Sequence, residues 1–325
     1  MTTKRTLGRT GLQISEIGYG AWGIGGNQWR GHSDDDALLA LRRALELGLN
    51  FIDTALAYNE GHSEQLIART LKETGAPAYV ATKIPPKNRV WPAQLGVPIS
   101  EVFPYDYCIA STETSLRNLG TSTIDLMQFH VWSPDWIDSD EWRRVITDLK
   151  ASGKVRYFGI SINDHQPATA LGAIETGLID TVQVIYNVFD QSPERDLFPA
   201  CRQHNVGVLA RVPLDEGALT GKITPETEFD PEEFRAWYFR GDRKQEVSEK
   251  VTALVADLQA AGSDEPLAST ALRFCLSNPT VSSVIPGMRQ IRNVEQNLSV
   301  SQKGPLSDEL LGILRRHAWG KNYYC

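Results

Sequence analysis

Cysteine is scarce in this chain. Its 325 residues hold four, Cys108, Cys201, Cys275 and Cys325, with no CxxC pair and no histidine cluster beside them. That excludes a disulfide scaffold at this size and leaves a zinc site without its ligand spacing, so reduced thiols in a cytoplasmic protein are expected. Long apolar runs are missing as well. The longest stretch without charge, 274–288, is interrupted by Pro279 and Pro286, and no membrane-spanning helix fits it. The opening Met-Thr-Thr-Lys-Arg-Thr leads into no apolar segment, which argues against a secretory signal. Neither sign of charge dominates: 33 Lys and Arg stand against 40 Asp and Glu, a net −7. That balance argues against a dedicated nucleic-acid or anionic-membrane surface. No linker rich in Gly, Ser or Pro divides the chain, so one domain over 1–325 is expected.

What is present is an alternation. Hydrophobic residues make up 41% and charged residues 22%, the composition of a folded globular chain. Short β-branched or aromatic runs at 14–20, 51–55, 79–83, 124–130, 155–161, 181–187, 207–212 and 281–286 read as eight strands. Amphipathic stretches at 34–47, 63–73, 106–119, 141–151, 167–175, 194–204, 249–261 and 290–298 read as the helices between them, with extra helices at 266–276 and 307–317. Ser33 before three aspartates is a helix start, and Gly48, Gly75, Gly120, Gly153, Gly177 and Gly262 each follow a helical pattern. Eight βα units without a composition break predict an α/β fold, a (β/α)8 barrel with extra C-terminal helices. Three segments break the alternation. Residues 6–12 read as a hairpin before the first barrel strand. Residues 84–105 and 213–247 are long connections after strand C-termini, the face on which barrels place their sites.

Gly18-Tyr-Gly20-Ala-Trp-Gly23 matches GxGxxG after a strand. No helix opens behind it and the next acidic strand end, Asp53, lies too far on for a dinucleotide fingerprint. A glycine-rich loop at the barrel mouth, with Trp22 and Trp29 as pocket walls, is the better reading.

Four polar residues sit at or just beyond three successive strand ends: Asp53, Tyr58, Lys83 and His130. Singly, each has an ordinary role, such as a buried Asp–Lys pair, a core histidine or a loop aromatic. Together on one rim they suit a proton-donor site. Phe51-Ile-Asp-Thr-Ala-Leu-Ala-Tyr58, Gly61-His-Ser-Glu64, Ala81-Thr-Lys83 and Ile124-Asp-Leu-Met-Gln-Phe-His130 resemble the signatures of the aldo-keto reductases. Gly159-Ile-Ser161, Gln183, Leu219-Thr-Gly-Lys222 and Ile285-Pro-Gly-Met-Arg289 extend the resemblance to Asn297.

The resemblance, to bacterial-type members, implies a catalytic tetrad of Asp53, Tyr58, Lys83 and His130 and the reduction of aldehydes or ketones to alcohols. Hydride addition puts negative charge on the carbonyl oxygen, so a proton donor must stand there. A phenol titrates near 10, and a neighbouring ammonium lowers that value. Tyr58 is thus expected to be the general acid, Lys83 the acidifying cation, Asp53 its counter-ion and His130 the group that positions the substrate oxygen. The hydride requires a nicotinamide cofactor, and no metal is needed.

By the same resemblance Ser161 and Gln183 hold the carboxamide, and Trp22, Leu214, Leu219, Gly221, Gly287, Arg289, Asn293 and Asn297 border the cofactor. Asn stands directly after that Ser in the family pattern, whereas here Ile162 intervenes before Asn163. Arg211 takes the place of an aromatic that stacks on the nicotinamide. A stacked guanidinium would favour the neutral reduced ring; the ordinary alternative is a structural Arg paired with Asp215 or Glu216. Arg289, with Arg292 near it, suits a 2′-phosphate and points to NADPH, with NADH as the lesser alternative. Trp22, Trp29 and Trp132 are the expected substrate walls, with Trp91 and Trp237 on the two long loops. The aromatic tail from Trp319 is expected to cover the barrel or to meet another subunit. Two other functions fit the same residues: a non-enzymatic nicotinamide-binding redox sensor resembling potassium-channel β subunits, and a barrel enzyme using Lys83 as a Schiff base.

Overall fold

The computed structural model describes residues 2–26, 28, 29, 31 and 33–324. Eight parallel strands form one sheet: β3 (Tyr19–Gly20), β4 (Phe51–Asp53), β5 (Tyr79–Ile84), β6 (Ile124–Phe129), β7 (Val155–Ser161), β8 (Thr181–Ile185), β9 (Gly207–Arg211) and β10 (Val281–Val284). Each pairs with its neighbour in sequence. Parallel bridges from Ile17 to Val284 and from Gly20 to Gly287 close the last strand onto the first. The eight-stranded parallel barrel expected from the alternation is present, and helices follow its strands. Gly20 makes that closure practicable, because a Cβ there would lie 2.7 Å from the Ile285 carbonyl oxygen.

The helices obey local signals. Ser33 caps the helix Asp34–Glu46 in a capping box with Asp36, and the first turn carries three aspartates against the positive dipole end. The helix Tyr105–Leu119 ends in the left-handed Gly120. The expected strand over 14–20 is divided. Residues Gln13–Ser15 (β2) pair antiparallel with Lys4–Thr6 (β1), whereas Ile17 bridges to Val284 and Tyr19–Gly20 forms the first barrel strand. The hairpin places Leu7, Leu12 and Ile14 against Phe51, Ala81, Leu126, Leu209 and Ile285, which fills the N-terminal end of the barrel. Loop 213–247 is shorter than expected, because the helix Arg243–Ala260 begins six residues before the sequence pattern suggests. That first turn is polar, Arg-Lys-Gln-Glu, and carries no apolar signal.

No helix among the described residues is long and apolar enough to cross a membrane.

Candidate active site

Alternation along short strands decides what enters the barrel. Phe51 and Asp53 share the inward face of β4, and Ala81 and Lys83 that of β5, with Asp53 and Lys83 nearer the C-terminal end. The Lys83 ammonium lies 2.8 and 3.0 Å from the two Asp53 carboxylate oxygens and 2.8 Å from the Thr54 carbonyl oxygen. Both side chains are essentially excluded from solvent. The Gln183 amide on β8 reaches across the barrel and donates to Asp53 Oδ1 at 2.7 Å. A buried ion pair is tolerable only when its remaining hydrogen-bonding capacity is met, and here the carbonyl and the amide meet it.

Tyr58 sits in the turn after β4. Asn59, Glu60 and Gly61 all take positive φ and launch the helix His62–Thr74. The Lys83 ammonium is 5.3 Å from the centroid of the Tyr58 ring. His130 follows β6, its ring 5.9 Å from that of Tyr58. Trp22 stacks on Tyr58 at 6.3 Å, and Trp91 meets His130 edge-on at 5.9 Å. Asp53, Tyr58, Lys83 and His130 therefore come together as the sequence suggests.

The electrostatics differ from the expectation. Burial, reinforced by the Asp53 carboxylate, pushes the Tyr58 phenol well above its ordinary value, and Arg211 is the cation that opposes the rise. The three N–H groups of Lys83 are directed at Asp53 and Thr54, so the carboxylate offsets the ammonium before the phenol feels it. Burial, with the Lys83 and Arg211 charges, drives His130 well below its usual range, so its imidazole is neutral. Its Nδ1 is buried and has no hydrogen-bond partner among the described residues.

These groups open into a cavity of 820 Å³ at the C-terminal end of the barrel. That is in the upper part of the roughly 300–1,000 Å³ typical of ligand pockets. Trp22, Ser161, Gln183, Arg211 and Leu214 line it, as do Gly287, Arg289 and Asn293. Trp29 lines it too, with the guanidinium groups of Arg235 and Arg289 each 5.1 Å from its ring. Leu219, Gly221 and Asn297 do not line the cavity. Leu219 is fully buried and Asn297 nearly so, both packed behind the wall. Trp132 is not a substrate wall. It is absent from the cavity lining and fully buried in an aromatic cluster with Trp142 at 5.2 Å and Trp136 at 5.8 Å.

Arg211 does not pair with Asp215 or Glu216. It donates to Asp164 at 2.6 Å and to the Ile162 carbonyl at 3.0 Å, so a near-neutral ion pair, not a lone cation, faces the cavity. Its Nε is buried without a partner among the described residues. The Asn163 side chain is bound both ways to the backbone of Ala93, at 3.1 and 3.2 Å, and ties the long loop after β5 to the end of β7.

Several cavity residues carried no signal in the motifs. Asp164, Glu216, Phe234, Arg235 and Tyr324 all face it. The tail does cover the barrel: Trp319 donates its backbone N–H to Phe189, and the Tyr324 hydroxyl donates to Glu216 at 2.6 Å. The acidic pair Asp215-Glu216 in an otherwise apolar loop was the one readable hint. The long-range partner of Glu216 left no trace in the sequence.

Residues 16–318 match the aldo/keto reductase family model. The chain belongs to the aldo/keto reductase family. It is an NAD(P)H-dependent oxidoreductase of that family. It is 31% identical over 235 residues to aldo-keto reductase YhdN of Bacillus subtilis, covering 71% of this chain and 67% of that one. Its structure resembles holo aldo-keto reductase AKR11C1 from Bacillus halodurans with a TM-score of 0.78 at 28% identity, covering 99% and 98% of the two chains. It resembles glycerol dehydrogenase AKR11B4 from Gluconobacter oxydans with a TM-score of 0.77 at 29% identity, covering 97% and 95%.

The residues present fit a nicotinamide dinucleotide. Among the described residues, Gly287 and Gly217 border the cavity with no atom within 4 Å of where a Cβ would stand, and the Arg211 Nε and His130 Nδ1 lie buried without partners.

Proposed function

We propose that the enzyme reduces an aldehyde or ketone to an alcohol with Tyr58 as general acid and NADPH as the preferred cofactor. The observation that supports it most is the meeting of Tyr58, His130 and the Asp53–Lys83–Gln183 cluster at the floor of one cavity. When bound, the dinucleotide supplies hydride to the carbonyl carbon.

The chain's own residues then handle the oxygen. Tyr58 keeps its proton at every ordinary pH because burial favours the neutral phenol. An alkoxide is a much stronger base than a phenolate, so charge developing on the carbonyl oxygen draws that proton over. Neutral His130 fits the role of a hydrogen-bonding group for the same oxygen without taking up charge itself. Lys83 lies 5.3 Å from the phenol ring and lends the phenolate left behind what Asp53 leaves of its charge; Asp53, itself held by the Gln183 amide, keeps Lys83 in place. Ser161 and Gln183 would hold the carboxamide. Arg289, which lines the cavity beside Arg235, would meet a 2′-phosphate.

A panel of aldehydes and ketones, followed by the absorbance of the reduced cofactor, tests this reading. Tyr58→Phe is expected to lower kcat by roughly 100- to 10,000-fold, the contribution typical of a general acid, and to leave the Kd for NADPH unchanged. Full activity in that variant would remove Tyr58 from the role. Cofactor binding with no turnover of any carbonyl would point instead to a redox sensor.

A further inference from the structure

The charges that act most on the Tyr58 phenol are those of Asp53, Arg211 and Glu216. The first two are answered. Asp53 stands against the Lys83 ammonium at 2.8 Å, and Arg211 against Asp164 at 2.6 Å. Glu216 is met by a neutral group instead: the Tyr324 hydroxyl donates to it at 2.6 Å. The other cations of the cavity wall are engaged elsewhere. Arg235 pairs with Glu233, Arg289 lies 5.1 Å from the Trp29 ring, and Arg89 is exposed on the loop after β5, where salt and water screen it. With His130 neutral, Glu216 decides the net charge around the proton donor.

The chain fixes that carboxyl in place. Val212, Asp215 and Glu216 adopt φ values of 53°, 48° and 54°, and Gly217 follows at 107°. Such backbone is costly for residues with side chains and persists where the surroundings impose it. Tyr324 is itself wedged against Tyr238 at 5.0 Å and Phe234 at 6.2 Å. Burial pushes the Glu216 carboxyl up to about 7; the Tyr324 hydrogen bond and the Arg211 charge lower it, and Asp215 and Asp164 raise it. The group therefore changes charge across the neutral pH range.

A bound dinucleotide meets this charge at its reacting end. Hydride transfer needs the nicotinamide carbon about 3–3.5 Å from the carbonyl carbon, whose oxygen takes the Tyr58 proton. The ring thus stands one carbonyl group away from the phenol on which Glu216 acts. It is neutral when reduced and positively charged when oxidised. We propose that Glu216, held by Tyr324, sets which redox form of the dinucleotide the site prefers: its carboxylate draws the oxidised ring and leaves the reduced one unaffected. This rests on the nicotinamide-dependent reading given above and deepens it. Whatever Glu216 does to the ribose or pyrophosphate beside Leu214 and Gly217 is the same in both forms and cancels in the ratio of their affinities. A unit charge about 8–10 Å away, at an effective dielectric constant of about 20, changes an affinity by roughly 15- to 30-fold.

The test measures Kd for NADPH and for NADP⁺ by quenching of tryptophan fluorescence, at pH 6 and pH 8.5, in the wild type and in Glu216→Gln. No carbonyl substrate is present, so turnover does not enter. In the wild type, NADP⁺ is expected to gain about tenfold on NADPH between pH 6 and pH 8.5, as the carboxylate forms. Glu216→Gln is expected to keep the ratio at the wild-type pH 6 value throughout. Equal ratios in the two proteins at pH 8.5 would overturn the proposal. A wild-type ratio that stays constant between pH 6 and pH 8.5 would overturn it too, and that measurement stands even if Glu216→Gln does not fold. Binding of both forms with a ratio indifferent to pH and to Glu216 sinks this assignment alone. Binding of neither form sinks the nicotinamide reading as well.

Discussion

At the scale of single residues, the Asp53–Lys83 pair carries the largest consequences. Lys83→Met leaves a carboxylate that is 3% exposed with only the Gln183 amide beside it. Removing one partner of a buried pair costs about 3–5 kcal/mol, because the other charge stays desolvated and unopposed. Urea denaturation of Lys83→Met should show a deficit of that size. Adding Asp53→Asn should recover much of it. A deficit that Asp53→Asn leaves unchanged would mean that lost packing, not the charge, sets the cost.

Among elements, the loop behind β9 is the most unusual. Asp215 is 8% exposed, and burial pushes its carboxyl up to about 6, although the Tyr238 hydroxyl donates to it at 3.0 Å. His165 lies near enough to lower that value, and Asp190 to raise it. In the unfolded chain the group titrates near 3.9. A raised folded value makes Asp215 most compatible with the fold at low pH, and that contribution fades between about pH 4 and pH 6. Asp215→Asn keeps an acceptor for Tyr238 and removes the ionisation. The melting temperature of the variant relative to the wild type should rise between pH 4.5 and pH 8, by the equivalent of about 2 kcal/mol. A constant difference across that range would show that Asp215 does not change its charge on folding.

This loop also marks where the sequence stops being readable. Strands such as β7 announce themselves by β-branched and aromatic runs, and the barrel follows from eight of them in alternation with helices. Asp53 and Lys83 are legible for the same reason, because strand periodicity fixes their face and their position near a strand end fixes their rim; His130 is legible because it follows β6 directly. Trp132 is misread because it lies beyond the end of β6, where periodicity no longer applies and packing against Trp142 decides its direction. Arg211 with Asp164 and Glu216 with Tyr324 join segments 47 and 108 residues apart. No local propensity encodes such pairings; they arise only when the barrel has brought the loops together.

For the whole molecule, the two ends of the barrel carry separate tasks. Loops, tail and proton donor crowd the C-terminal end, while the hairpin β1–β2 fills the other. Leu7 is fully buried there, and Gly8 lies so close to β9 that a Cβ would stand 2.2 Å from the Gly207 amide nitrogen. Arg9 donates its backbone N–H to Asn205 at 2.6 Å and so fastens the hairpin across the barrel floor. A cavity made at this end is far from the chemistry and does not touch the cofactor residues. Leu7→Ala should therefore destabilise the fold by about 2–5 kcal/mol, the usual range for a buried leucine, and leave kcat and KM of the folded enzyme within a factor of two. Denaturation and steady-state kinetics on one preparation check both parts. If kcat fell in step with stability, the plug would be setting the position of Asp53 and Lys83 through Phe51 and Ala81, which share its cluster, and the two ends would be coupled through the barrel interior.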